Sequence, residues 1–230
     1  MVSSSSSWTT CCMGGERKAS GASEPVKMIP VWRSPHYHPV ERLLNLVFHR
    51  LVPVAEMASL SPEKDSARIR EIREKLSAVE LRAYDKHILK AGWRAEEVSF
   101  ARPGGGGECT IVVHRPPGAD GERLPLLYWL HGGGMTVCGA RQGYGAELVA
   151  ELLKRGVRVV WATTEYRLAP EHPFPAAFDD SLGGLQHLLR CPELSQRFGF
   201  DPECLHLGGF SAGGGLVAAV AGAVARGGGA

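Results

Sequence analysis

The stretch GFSAGGGLVAA, residues 209–219, decides how this sequence is interpreted. It matches the pattern G-x-S-x-G, in which a serine occupies a sharp turn between a buried strand and a helix with its hydroxyl exposed. Small residues must flank that serine, because a side chain at Gly209 or Gly213 would collide across the turn. The pattern therefore predicts a strand before the serine, a helix from Ala212, and Ser211 as a nucleophile.

The strand and helix pattern around this turn indicates an α/β fold. Apolar runs alternate with helical patterns in the region 93–230, and strands that are apolar along their whole length favour a mostly parallel sheet flanked by helices. The predicted strands are 124–130, 157–166 and 204–210, and the predicted helices are 146–154, 176–190 and one from residue 212. Before them, two short strand-like runs separated by GGGG predict a hairpin. Function in such a sheet lies at the carboxyl ends of the strands.

The region before residue 93 is divided into two parts. Residues 1–34 are predicted to form a disordered tail, and residues 35–92 to form N-terminal cap helices. The apolar segment 40–52 is either a partner- or membrane-facing helix or, as we favour, a helix that covers its own domain. A second helix is expected from Ser61-Pro62, with its charged residues on the solvated face and with four apolar residues facing inward: Ile69, Ile72, Leu76 and Val79.

Composition excludes several classes of function. A formal net charge of +2 over 230 residues gives no reason to expect nucleic acid as a partner. No apolar run is long enough for a transmembrane segment. The six cysteines show no metal-ligand spacing, so we expect reduced thiols, no metal, no cofactor and a cytoplasmic location.

Two further strand ends carry unusual residues. The first strand of the alternating region ends in HGGGM, residues 131–135, and the second ends in EYRLAPEHPFPAAF, residues 165–178. Three glycines after a strand let backbone N–H groups face a substrate, and such groups stabilise the oxyanion that forms in acyl transfer. The patterns of phosphate-binding glycine loops, GxxxxGK[ST] and GxGxxG, are absent from these positions.

Taken together, the three motifs resemble the hormone-sensitive-lipase-like branch of the α/β-hydrolases, which includes carboxylesterases and arylacetamide-deacetylase-like enzymes. The resemblance covers roughly residues 95–225. It implies an α/β-hydrolase fold and a small-molecule ester substrate, with Ser211 as the nucleophile. It further implies an oxyanion hole of the N–H groups of Gly133, Gly134 and Ala212, with His131 and Tyr166 as structural support.

The sequence departs from the family pattern at three points. Phe210 stands where the family usually has Asp, which predicts altered packing behind the turn, and Met135 replaces a common aromatic residue, so acyl preference does not transfer. The triad order in this fold is Ser, then Asp or Glu, then His, yet the 19 residues after Ser211 contain none of these three residue types. All nine histidines precede the serine.

The missing acid and histidine lead to an expectation about the chain as a whole. We expect a C-terminally truncated α/β-hydrolase whose final strands and helices are missing and whose esterase activity is weak. Strand 204–210 would then be an open sheet edge through which the chain self-associates. Two alternatives stay open: a receptor-like protein that binds a small molecule without catalysis, and an interaction fragment that pairs with a full-length homologue.

Overall fold

The computed structural model describes residues 60–61 and 64–227. Within them lie five helices: α1 (Ser66–His87), α2 (Gly143–Lys154), α3 (Ala176–Arg190), α4 (Pro192–Phe198) and α5 (Ala212–Gly227). The same residues hold five strands: β1 (Arg94–Ala101), β2 (Glu108–Arg115), β3 (Leu124–Leu130), β4 (Val160–Thr164) and β5 (Phe200–Gly209). The predicted tail 1–34 and the predicted helix in 40–52 lie outside the described residues.

The strands form one mixed sheet in the order β1-β2-β4-β3-β5. β3 pairs in parallel with β4 and with β5, as expected for strands joined through helices. β2 pairs antiparallel with both β1 and β4, so the expected mostly parallel arrangement holds only in the β4-β3-β5 half. Connection length explains the β1–β2 pair, because a short glycine loop joins these two strands and can close only an antiparallel hairpin.

β3 and β4 form the centre of the core, since both of their faces are covered. Leu126, Tyr128 and Leu130 of β3 pack in one apolar cluster with residues of α3 and α5. Leu127 faces the opposite side and packs in a second cluster with residues of α1 and α2, among them Tyr84. This two-sided burial explains why β3 reads as a continuous apolar run.

Helix α1 begins later than its sequence predicts. Ser61 and Asp65 close a turn, in which the Asp65 side chain accepts a hydrogen bond from the Ser61 N–H at 2.8 Å, and the helix starts only at Ser66. Ile69 and Ile72 are buried as expected, but Val79 is 56 % exposed.

At the level of Val79, α1 meets α2 through a polar contact instead. The Glu80 carboxylate accepts a hydrogen bond of 2.6 Å from the N–H of Gly143 at the start of α2. Helix N-termini have N–H groups without intrahelical partners, and a carboxylate satisfies one of them well.

A buried aromatic chain fastens α1 to the sheet. The Tyr84 hydroxyl lies 2.8 Å from His114 Nε2, and His114 Nδ1 lies 2.9 Å from the Trp161 carbonyl. Because the carbonyl can only accept, the ring proton sits on Nδ1 and Tyr84 donates to Nε2. Burial lowers the pKa of His114 to about 3, so the ring is neutral and matches these two partners.

A buried carboxylate holds the segment that follows β4. Asp180, in α3, is fully buried and accepts three hydrogen bonds of 2.9 Å from Arg167, one from its backbone N–H and two from its guanidinium. Arg102 lies 3.4 Å from the same carboxylate. The bidentate geometry fixes residue 167 and therefore the direction in which the chain leaves β4.

Replacing this carboxylate should be costly. We expect Asp180→Asn to lower the free energy of unfolding by about 3–5 kcal/mol, because two guanidinium groups lose the charge that compensates their desolvation. Asp120→Asn, which removes an exposed pair with Arg94, should cost less than about 1 kcal/mol. Urea denaturation of both variants measures the difference, and equal midpoints would contradict the assigned role of Asp180.

Candidate active site

The turn between β5 and α5 holds Ser211 in a strained conformation. β5 ends at Gly209, α5 begins at Ala212, and Ser211 between them has φ = +54° and an exposed side chain. A non-glycine residue in this region is uncommon and is held there by its surroundings. The local geometry is that of a nucleophile turn between a strand and a helix.

The flanking glycines permit this turn, as their spacing predicts. A Cβ at Gly209 would lie 2.5 Å from the Gly213 carbonyl oxygen, and a Cβ at Gly213 would overlap the carbonyl oxygens of Leu130 and His131. The start of α5 therefore crosses directly over the end of β3, at a separation that only glycine allows.

The glycine loop after β3 lies against the same turn. A Cβ at Gly132 would be 2.8 Å from the Phe210 carbonyl oxygen and 3.3 Å from the Ser211 Cβ. This contact brings together two of the three sequence motifs, HGGG and G-x-S-x-G.

Three backbone N–H groups at this junction are unpaired. The amides of Gly133, Gly134 and Ala212 have no hydrogen-bond partner among the described residues. Gly133 and Gly134 have φ of +116° and +62°, and the Gly133 carbonyl accepts bonds of 3.0 Å from the N–H groups of both Thr136 and Val137. Ala212 is the first residue of α5, where N–H groups have no intrahelical acceptor. These three donors are the ones that the motifs predict for an oxyanion hole.

His131 and Tyr166 form a buried pair below the glycine loop. Their rings stack at 4.0 Å, the Tyr166 hydroxyl donates to the His131 carbonyl at 2.7 Å, and His131 Nδ1 lies 2.8 Å from the Gly132 carbonyl. Nδ1 therefore carries the ring proton, and Nε2 has no partner among the described residues. Burial lowers the pKa of His131 to about 4, so the ring is neutral at physiological pH.

Phe210 packs outward from the turn, not behind it. Its ring is 44 % exposed and stacks on Tyr144 of α2 at a centroid distance of 4.6 Å. Phe210 therefore packs at the surface beside Ser211. Met135 has φ = +59°, and its carbonyl accepts a hydrogen bond of 2.8 Å from the Ala169 N–H.

No basic side chain among the described residues is hydrogen-bonded to the Ser211 hydroxyl. His114 and His131 are buried in the contacts given above, His187 stacks on Phe100, and His206 lies on β5 beside Cys204. None of the described histidines is hydrogen-bonded to the serine hydroxyl.

The part of the chain that the structure describes contains no disulfide and no cluster of metal-ligating side chains. Cys109, Cys138, Cys191 and Cys204 are free thiols, and no group of three or more metal-ligating side chains occurs between residues 64 and 227. No helix in that part is long and apolar enough to cross a membrane.

One residue near the site escaped the sequence-based prediction. Arg73, expected on the solvated face of α1, is hydrogen-bonded to the loop after HGGGM and to the loop that contains EYRLAPEHPFPAAF. The sequence holds no signal for this, because Arg73 is one of several charged residues in a helix whose partner surface is unknown before folding.

Comparison with known proteins agrees with the motifs. A family model described as the alpha/beta hydrolase fold matches residues 127–230. Arylacetamide deacetylase of Oryctolagus cuniculus is 41% identical over 95 residues, which are 41% of this chain and 23% of that protein. Carboxylesterase NlhH of Mycobacterium tuberculosis is 33% identical over 114 residues, which are 50% of this chain and 34% of that protein. The chain thus spans about a third or less of these curated relatives.

Solved structures show the same fold. A hyperthermophilic esterase from the archaeon Pyrobaculum calidifontis superposes with a TM-score of 0.56 at 29% identity, covering 70% of this chain and 49% of its own. A bacterial heroin esterase superposes with a TM-score of 0.60 at 26% identity, covering 78% and 53%. The family model, the relatives and the solved structures give this chain an α/β-hydrolase fold, and with the three motifs they support the hormone-sensitive-lipase-like branch of that family.

Proposed function

We propose that this protein is a serine hydrolase of carboxylic esters, with Ser211 as its nucleophile. The observation that carries the proposal is the strained, exposed Ser211 lying against a glycine loop in which the N–H groups of Gly133 and Gly134 have no hydrogen-bond partner among the described residues. The names of the relatives, carboxylesterase and arylacetamide deacetylase, support the same class of reaction.

The proposed chemistry proceeds in two stages. Ser211 Oγ attacks the ester carbonyl carbon, and negative charge develops on the carbonyl oxygen. The N–H groups of Gly133, Gly134 and Ala212 donate to that oxyanion, each contributing about 3 kcal/mol to transition-state stabilisation. The C–O bond to the alcohol breaks, the alcohol leaves with a proton, and water then attacks the acyl-serine to release the carboxylic acid.

His131 and Tyr166 have a supporting role in this proposal. Their stacked rings and their hydrogen bonds to the carbonyls of residues 131 and 132 hold the start of the glycine loop. His131 is a poor base for the serine, because a group with a pKa of about 4 binds a proton weakly at neutral pH.

The proton of Ser211 therefore has no acceptor in the chain as described. The 19 residues after Ser211 contain no Asp, Glu or His, and none of the described histidines before it is hydrogen-bonded to the serine hydroxyl. We propose that the 230-residue chain by itself hydrolyses esters slowly, and that efficient turnover requires a base from outside this chain.

The lack of a base also favours one alternative function. A receptor-like protein would use the same site to bind a small molecule without cleaving it. Equilibrium binding of an ester or carboxylate that is recovered unchanged, with an affinity that Ser211→Ala leaves intact, would favour this alternative over hydrolysis.

Two further expectations remain proposals. The cytoplasmic location rests on the free cysteines alone. Self-association rests on β5, which lies at the edge of the described sheet with Leu205 and Leu207 only partly buried.

The pH dependence of hydrolysis tests the missing base. If hydroxide removes the serine proton, the Ser211-dependent rate rises about tenfold per pH unit between about pH 7 and pH 9, whereas a histidine base gives a plateau. Initial rates with 4-nitrophenyl acetate, corrected with Ser211→Ala, measure this. Ser99→Ala, at an exposed position of β1, is the control and should change nothing. A plateau near neutral pH that Ser211→Ala abolishes would show that a histidine of this chain serves as base.

Substitution in the glycine loop tests the oxyanion donors. Gly133→Ala places a Cβ onto the Val137 carbonyl, so the loop must shift, and we expect Ser211 phosphonylation by a 4-nitrophenyl phosphonate to slow by about 100-fold. Gly134→Ala, with nothing within 4 Å of its Cβ, is the matched control and should slow it less than about tenfold. Mass spectrometry follows the labelling, and equal rates in both variants would argue against the assigned donors.

Concentration-dependent sedimentation tests self-association. An open edge strand with apolar residues favours pairing, so the weight-average mass should rise above 24.7 kDa as the protein concentration increases. A chain that sediments as a monomer at every concentration and unfolds cooperatively would contradict the proposal.

A further inference from the structure

The side chain of Arg73 joins helix α1 to two loops at the active site. It is only 22 % exposed, although its helix carries exposed charges along much of its length. Arg73 Nε donates to the Thr136 carbonyl at 2.8 Å, and Nη2 donates to the Ala169 carbonyl at 2.9 Å. One guanidinium thus holds the turn after HGGG and the loop after β4.

An acidic partner orients the guanidinium. Both Nη atoms of Arg73 donate to the two oxygens of Glu171, at 3.2 and 2.9 Å. The hydrogen bond from Arg73 lowers the pKa of Glu171, so the carboxylate is charged at neutral pH. The planar fork of arginine suits this arrangement, since its fixed N–H directions serve a carboxylate and two carbonyls at once.

The two loops are also bonded to each other. Ala169 donates its N–H to the Met135 carbonyl at 2.8 Å, while its own carbonyl accepts from Arg73. The Met135 carbonyl therefore accepts a hydrogen bond from Ala169, and the next carbonyl, that of Thr136, accepts one from Arg73. The same guanidinium also donates to the Ala169 carbonyl. Arg73 closes this ring of hydrogen bonds.

The turn that Arg73 holds is strained and directly supports the proposed donors. Met135 and Cys138 both have positive φ, +59° and +67°, and Thr136 lies between them. The N–H groups of Thr136 and Val137 donate to the Gly133 carbonyl at 3.0 Å. Left-handed non-glycine residues persist only where contacts hold them, and displacement of the Thr136 peptide would rotate the Gly133 peptide bonded to it.

We propose that Arg73 is a positioning residue, which fixes the Thr136 peptide and thereby keeps the N–H groups of Gly133 and Gly134 directed toward Ser211. The catalytic part of this inference rests on the proposed function. The structural part, that Arg73 orders the glycine loop, stands independently of it.

Hydrogen exchange tests the structural part. In Arg73→Met, amide exchange in peptides covering residues 131–138 should accelerate at least about tenfold, while exchange in β5 stays unchanged. Arg73→Lys keeps the charge but loses the fork, and should give an intermediate acceleration. Arg82→Met, at an exposed position of the same helix, is the matched control and should leave both regions unchanged.

The labelling rate of Ser211 tests the catalytic part. With the same 4-nitrophenyl phosphonate at about pH 9, Arg73→Met should react about tenfold more slowly than the unmodified chain, with Arg73→Lys between them. Unchanged loop exchange in Arg73→Met would overturn the inference, as would an equal acceleration of exchange in the loop and in β5. If Ser211 of the unmodified chain is not labelled at all, the proposed function fails, and loop exchange alone then decides for or against Arg73.

Discussion

The site depends on one close approach, that of the first turn of α5 to the end of β3. Gly213 lies so near the carbonyls of Leu130 and His131 that no Cβ fits between them. This approach bends the chain at Ser211 into the left-handed region and exposes its side chain. Because the HGGG loop begins where β3 ends, the same contact that shapes the nucleophile turn also brings the glycine loop beside it.

The charged side chains and the unpaired N–H groups near the site have different roles. Asp180 with Arg167, and Glu171 with Arg73, hold the segment that leaves β4. Their polar groups are satisfied by each other, so they lend rigidity and do not compete for a ligand. The N–H groups of Gly133, Gly134 and Ala212, which have no hydrogen-bond partner among the described residues, lie in the glycine loop and at the start of α5, where developing negative charge is expected.

The sequence predicted the elements whose signal is local. The predicted bounds of β3 and α3 match the observed ones, because β3 is a mostly buried apolar run and α3 has Pro175 before it and Pro192 after it. The crowding at Gly209 and Gly213 also followed from the motif alone, since a tight strand-to-helix turn allows no side chain there.

The features that the sequence did not predict depend on contacts between residues that are distant along the chain. The antiparallel pairing of β2 with β4 is a matter of topology, which strand patterns do not encode. Val79 is exposed because α1 meets the start of α2 through Glu80, and Arg73 is partly buried because two loops converge on it. No spacing within α1 distinguishes that arginine from its neighbours, so only the folded chain reveals which one is engaged.

The crowded glycine at position 213 has a consequence for how such motifs are used to infer activity. Gly213 is required for the packing of α5 on β3, whatever Ser211 does. A member of this fold could lose its base, and with it all turnover, while packing alone continued to demand the small residues around the serine. The G-x-S-x-G pattern by itself therefore indicates that a chain folds this way. The presence of the catalytic histidine is what indicates an active enzyme.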